Sequence, residues 1–310
     1  MIRNVLNIRF GTLWTAARAH RQGTPYRTAA GPVTDGLCPH CHAGPDTAGH
    51  ILGACTHPAI TRCRIARHNA AVCRIHDAIA SGSKGGCFCV MDATARDDAP
   101  DTVYSTRLPA WLLPDVPAST RAKMRPDILL IDGLPLASVR ALGEMKRMSP
   151  PALAALQSRG TVHVIEVGYC AESSTFQAAR ERKCTQHVAL CRALLAAGWT
   201  LAAPLPVSPD APPAQAAAHA PPRRTPCRSE PPDPDYTLIM LGMAGTIFTP
   251  FDRALVRLGV SASVVSELAR DLHVHAVVAA SRIVCLRRAL DFPKPAAAGS
   301  GQQLSPPDPP

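Results

Sequence analysis

Four metal-ligating side chains in one short stretch limit what this chain can fold into more than any other feature. Cys38-Pro-His-Cys41, His50 and Cys55 form a C-x2-C-x8-H-x4-C array. Two thiolates separated by two residues sit on a tight knuckle and can share one cation. A His and a third thiolate then complete a tetrahedron around Zn²⁺. Gly44 and Gly49 permit the bends between them, and His40, His42 and His57 are near enough to be alternate ligands. The competing explanation is a loop of cysteines with no metal. Four protein ligands would leave no open position for a substrate, so the expected role is structural.

The chain has 310 residues, room for one or two cores plus tails. Met1-Ile-Arg-Asn-Val-Leu-Asn-Ile-Arg-Phe interrupts its apolar residues too often for a secretory signal. No apolar run approaches the roughly 18 residues of a membrane span. With secreted and membrane classes set aside, the 12 cysteines are expected to be metal ligands and buried thiols rather than a disulfide scaffold. Charge is concentrated at one end. Residues 1–90 hold ten Arg and Lys against Asp35, Asp46 and Asp77, a balance of +7 out of +10 for the whole chain. Such a block suits a polyanion, most simply nucleic acid, although a solvated basic surface would look the same.

Residues 1–90 read as a basic, helical zinc-binding region. Leu6, Phe10, Leu13, Trp14 and Ala17 recur at helical spacing, and Phe10, Trp14 and Trp111 are expected in the core rather than as stacking platforms. Pro58 opens a helix to about Ala80 with Ile65, Val72, Ile75 and Ile79 as its apolar stripe. Arg62, Arg64, Arg67 and Arg74 lie off that stripe and are the expected nucleic-acid contacts. Residues 104–290 read as mixed α/β: strands over 127–132 and 162–167, then a helix over 176–197 that buries Cys184, Val188, Cys191 and Leu195 and is capped by Gly198. A short strand is expected near Leu201, another at 236–241, and two helices over 251–290 around Gly259 and Leu272. The Pro- and Ala-rich stretch 204–235 and the tail 293–310 are expected to be disordered.

Asp127 opens the first of those strands and Glu166 lies inside the second. A carboxylate within an apolar strand costs several kcal/mol unless it is paired or metal-bound. Two carboxylates on adjacent strands plus a lysine can support metal-dependent phosphodiester hydrolysis; a strand-edge Glu paired with Arg125 or Lys123 is the alternative.

At these residues the chain resembles the C-terminal region of non-LTR retrotransposon polyproteins, downstream of the reverse transcriptase. Cys38-Pro-His-Cys41 through Gly49-His-Ile-Leu-Gly-Ala-Cys55 and Ile65-Ala-Arg-His-Asn-Ala-Ala-Val72 resemble the zinc-binding region. Arg125-Pro-Asp-Ile-Leu-Leu130 with Val164-Ile-Glu-Val-Gly-Tyr169 resembles the restriction-like endonuclease of the PD-(D/E)xK type. The likeness spans roughly residues 1–290. It implies a small helical zinc knuckle followed by a mixed sheet with flanking helices, and Mg²⁺-dependent nicking of target DNA with DNA or the element's RNA as partner. It also implies an intracellular, nuclear location. Gly168 stands where the plain motif has Lys; members that move this lysine to the next helix would place it at Lys183, with Gln186 one turn on. Glu144-Met-Lys146 competes in local spelling but lacks an apolar strand. No polymerase motif on an apolar hairpin is present. The rival functions are a non-catalytic nucleic-acid-binding remnant and an interaction protein with an incidental basic surface.

Overall fold

The computed structural model describes residues 2–82, 86–91, 108–134, 142, 148–170, 182–183, 185–202, 236–248 and 251–293. The stretch 204–235, the tail beyond residue 293, Cys184 and the Glu144–Lys146 motif lie outside the described residues.

A mixed sheet organises the chain. Strands β3 (Gly86–Met91), β4 (Ile128–Leu134) and β5 (Thr161–Cys170) run as an antiparallel meander, with Ile128 opposite Ile165 and Leu129 opposite Val164. Two strands add in parallel to the free edge of β5. β6 (Thr200–Leu201) pairs at its start, and β7 (Thr237–Gly242) pairs from Ile165 to Cys170. β5 is thus central, and it is buried along almost its whole length, as a strand covered on both faces is. It continues through Gly168 rather than ending before it.

The two faces have separate cores, and the period-2 alternation decides which residue joins which. Ile128, Leu130, Ile165, Val167, Ile239 and Leu241 meet the long helices on one side. These are α4 (Pro58–Gly82) and α9 (Ala262–Asp291), with α8 (Phe251–Arg257) beside them. Leu129, Ile131, Val162 and Val164 meet Trp111, Leu112, Trp199 and α7 (Val188–Ala196) on the other. Two short helices, α5 (Ala118–Arg121) and α6 (Pro150–Gln157), complete this part.

The N-terminal elements depart from expectation. The apolar period over residues 3–20 is broken into α1 (Ile2–Arg9) and α2 (Ala16–Arg21), followed by the hairpin β1 (Tyr26–Thr28) and β2 (Gly31–Val33). Trp111 is buried as expected, but Phe10 is 75% and Trp14 47% exposed. On α4 the buried line runs Ile60, Arg67, Ala71, Ile75, Ile79, leaving Ile65 half exposed. On α7 the buried residues are Leu190, Cys191 and Leu194, while Leu195 is exposed. Helix α9 passes straight through Leu272, because that residue is buried and nothing nearby breaks the helix. No helix among the described residues is long and apolar enough to cross a membrane.

The knuckle shares its core with the rest of the chain. Cys38, Ile51, Leu52, Cys55 and Ile60 pack against Ala280, Ile283 and Val284 of α9. A buried polar network reinforces the joint. Arg287 bridges Asp46 (3.1 Å) and Asp291, and His40 (3.0 Å) and Tyr26 (2.8 Å) also bond Asp291. Burial and the Asp291 charge push the Tyr26 phenol well above its ordinary value.

Candidate functional site

The knuckle is built by local backbone bonds. Asp46 N–H donates to the Gly36 carbonyl (2.9 Å), and Cys38 N–H to that of Gly44 (3.0 Å). His42 takes a left-handed φ of 52°, turning the chain immediately after Cys41. Thr47 then caps helix α3 (Ala48–Gly53), its hydroxyl accepting from the His50 N–H (3.1 Å). That cap places His50 in the first helical turn, facing the cysteines. The Sγ atoms of Cys38, Cys41 and Cys55 and a ring nitrogen of His50 all lie within 4.8 Å of one another. Cys38 and Cys55 sulfurs are 4.0 Å apart, and Cys41 Sγ is 3.2 Å from His50 Nε2. Tetrahedral Zn²⁺ requires edges of about 3.8 Å and 3.6 Å for such pairs. The donor set therefore fits, and the cluster could hold a zinc ion. His40 is engaged with Asp291 and does not join it.

Burial shapes the thiols unequally. It pushes Cys38 up to about 12, and Cys55 upward as well. For Cys41 burial also acts upward, but N–H groups of Ala43 and Thr56, with Cys38 and His50, outweigh it and hold the thiol at about 6. Without a cation, two of three would-be thiolates stay protonated in a dry setting.

The second constellation lies on the sheet. Glu166 is 1% exposed in mid-β5. Its Oε1 is met by the Lys183 ammonium and its Oε2 by His187 Nε2 at 2.7 Å. Asp127 precedes Ile128, so continuing the β4–β5 register puts it opposite Glu166. One Asp127 oxygen accepts from the Val167 N–H (2.7 Å) and the other meets His68 Nε2 of α4 (3.0 Å). The structure therefore brings Lys183 to Glu166 and sets Asp127 opposite Glu166 in the register, with the Asp127 carboxylate turned to His68 and that of Glu166 to Lys183 and His187. Burial alone would push Glu166 up, but bonds from His187 and Lys183 and the ammonium charge hold it below its ordinary value. Asp127 is pushed up, chiefly by burial with the Glu166 charge adding, against the lowering effect of His68.

Gly168 explains where the lysine goes. A Cβ built there would stand 2.5 Å from Met240 Sδ and 3.8 Å from Lys183 Cε. A side chain at 168 would require the end of Met240 to shift, and the Lys183 stem passes through that neighbourhood. Gln186 is exposed. His187, one turn beyond Lys183, is the partner that sequence reasoning missed, together with His68. His187 is buried with its ring edge-on to Tyr236 (5.3 Å), and the Tyr236 hydroxyl donates to the Lys183 carbonyl. Among the described residues, no group of three or more metal-type donors converges apart from the knuckle.

The arginine expectations need correction. Arg67 is 4% exposed, donates to the Leu52 carbonyl (3.0 Å) and lies 4.3 Å over the Tyr169 ring. It sits four residues before Ala71 on the buried line of α4, so it is not available to phosphate. Arg64 donates to the Cys55 carbonyl (2.9 Å) and Arg74 pairs with Asp271 (2.6 Å). Arg62 is exposed. Comparison of the chain with protein-family models, curated proteins and solved structures returned no match.

Proposed function

We propose that the protein is a zinc-knuckle nuclease of the retrotransposon type, cutting DNA at a centre formed by Asp127, Glu166 and Lys183. The observation that carries this reading is a register that sets Asp127 opposite the buried Glu166 of β5, with Lys183 on Glu166, in a mixed sheet with flanking helices. The knuckle would hold one structural Zn²⁺ through Cys38, Cys41, His50 and Cys55, organising loops that have only a shared core.

Asp127 and Glu166 suit a hard divalent cation, since they are oxygen donors whose mutual repulsion a cation would relieve. When bound, Mg²⁺ would orient a phosphate oxygen and acidify a water. The chain's own residues do the rest. His187 fixes the Glu166 carboxylate, and the Val167 N–H fixes that of Asp127. The Lys183 ammonium, about a third exposed, can turn from Glu166 toward charge developing on the phosphate.

One observation favours a second reading, the non-catalytic nucleic-acid-binding remnant. Each oxygen of both carboxylates already has a nitrogen partner, so a cation must compete with His68, Lys183 and His187. Plasmid nicking in Mg²⁺ or Mn²⁺ separates the two. The nuclease loses activity in Asp127→Ala and Glu166→Ala, loses on the order of 10²–10³-fold in Lys183→Ala, and keeps it in Glu144→Ala. Wild-type protein that never nicks belongs to the second reading.

A further inference from the structure

Lys183 and His187 take the two oxygens of Glu166 from one short stretch of chain ahead of α7. What fixes that stretch decides where the lysine can reach. An ammonium on a flexible stem does not place itself, so its working range is set by its own backbone. The Lys183 carbonyl is held from two sides. The Gln186 N–H donates to it across a turn (3.2 Å), and the Tyr236 hydroxyl donates to it from another element.

Tyr236 is 3% exposed and directly precedes β7. Thr237 pairs with Ile165, so the register continued by one residue sets Tyr236 beside Val164, with which it shares a core. Val164 and Glu166 point to the same face of β5 by the period-2 alternation. The phenol thus rises on the Glu166 side of the sheet. There its hydroxyl takes the Lys183 main chain and its ring meets the edge of His187, with 74° between the ring planes. A core tyrosine needs some acceptor for its hydroxyl. Here the acceptor belongs to the residue whose ammonium lies on Glu166.

We propose that Tyr236 is a positioning residue for the nuclease: it fixes the Lys183 backbone, so that the ammonium swings between Glu166 and the scissile phosphate from a set origin. The inference rests on the nuclease reading above.

Tyr236→Phe tests it by removing the hydroxyl and keeping the ring. In the zinc-loaded full chain with Mg²⁺, kcat for plasmid nicking should fall about tenfold, since displacing a reacting group by about 1 Å can cost on the order of 10²-fold. KM for DNA and the affinity for Mn²⁺ should stay unchanged. In the Lys183→Ala background the same substitution should change nothing further, because no ammonium remains to be placed; the double-mutant cycle then returns the whole tyrosine effect as coupling. A readout apart from activity comes from the main chain. Lys183-Cys184 is the one Lys-Cys pair in the sequence, so carbonyl-¹³C lysine with ¹⁵N cysteine isolates the Lys183 carbonyl by nuclear magnetic resonance. That resonance should move upfield in Tyr236→Phe as the hydrogen bond is lost. An unmoved carbonyl, a full nicking rate, a rate loss that persists beside Lys183→Ala, or a collapse of Tm that makes Tyr236 merely structural would each overturn the proposal while wild-type nicking keeps the nuclease. Wild-type protein that never nicks removes the nuclease, and this role with it.

Discussion

In the knuckle three thiols and an imidazole converge on one another, whereas at the sheet each oxygen of Asp127 and Glu166 is already met by a nitrogen. Both are clusters of potential metal ligands under substantial cover. They differ in what relieves the burial. At the knuckle burial outweighs the neighbouring groups at Cys38 and Cys55, so a cation is the natural way to ionise thiols that burial otherwise keeps protonated. The sheet supplies its own partners, the Lys183 ammonium and the imidazole nitrogens of His68 and His187, so its fold does not depend on an ion. Metal should therefore act on stability at the first centre and on activity alone at the second.

The largest effect should come from breaking the knuckle. Cys38→Ser with Cys41→Ser should reduce bound zinc from about one equivalent to none by elemental analysis, since four ligands hold one ion. Chelation of wild-type protein should do the same and lower Tm markedly, because structural zinc supplies on the order of 10 kcal/mol in small domains. Magnesium, by contrast, should leave Tm almost unchanged. A chelator-insensitive Tm would erase the distinction between the two centres.

Glu166 should come next. Glu166→Ala strands the Lys183 ammonium and the buried His187, and should cost about 3 kcal/mol in urea unfolding, as loss of one partner of a buried pair does. The pH dependence sharpens this. The folded pKa of Glu166 is depressed, so its contribution is present above its ordinary value near 4.5 and is lost as pH falls through the lower folded pKa. Asp127 is raised and has the opposite sign: it favours folding at acid pH and loses that contribution as pH rises through its folded pKa, above 3.8. Glu166→Gln should therefore flatten the acid limb of the stability curve, and Asp127→Asn should not.

How each centre could be read in the sequence follows from the same contrast. The first and last knuckle ligands are 17 residues apart, and local turns bring the four together, so spacing alone reveals the geometry. Asp127 and Glu166 were visible as carboxylates at the start of and within apolar strands, and Lys183 through the resemblance. His68 and His187 carry no local signature; they arrive from α4 and from the segment before α7 only when the sheet is assembled. The buried line of α4 differs from its apolar stripe because Arg67, an expected surface residue, finds the Tyr169 ring and the Leu52 carbonyl. Phe10 and Trp14 show the converse. Apolar period predicts a face, but not whether anything covers it.

The smallest effect should be at Arg74, whose partner Asp271 is more than half exposed. Arg74→Ala should cost about 0.5 kcal/mol or less, as solvent-screened pairs do, and should change the salt dependence of nucleic-acid binding little. Arg62→Ala should reduce the slope for duplex DNA by about 0.9, the contribution of one phosphate contact.

The central claim is that Asp127 and Glu166 form a divalent-cation centre despite their nitrogen partners. Electron paramagnetic resonance of Mn²⁺ with the zinc-loaded chain tests it directly. The account predicts one bound Mn²⁺ per chain, lost in Asp127→Asn and in Glu166→Gln, and held more tightly in His68→Ala because a competitor for Asp127 is gone. Mn²⁺ that stays free at millimolar concentration, or binding that survives both carboxylate substitutions, would contradict it.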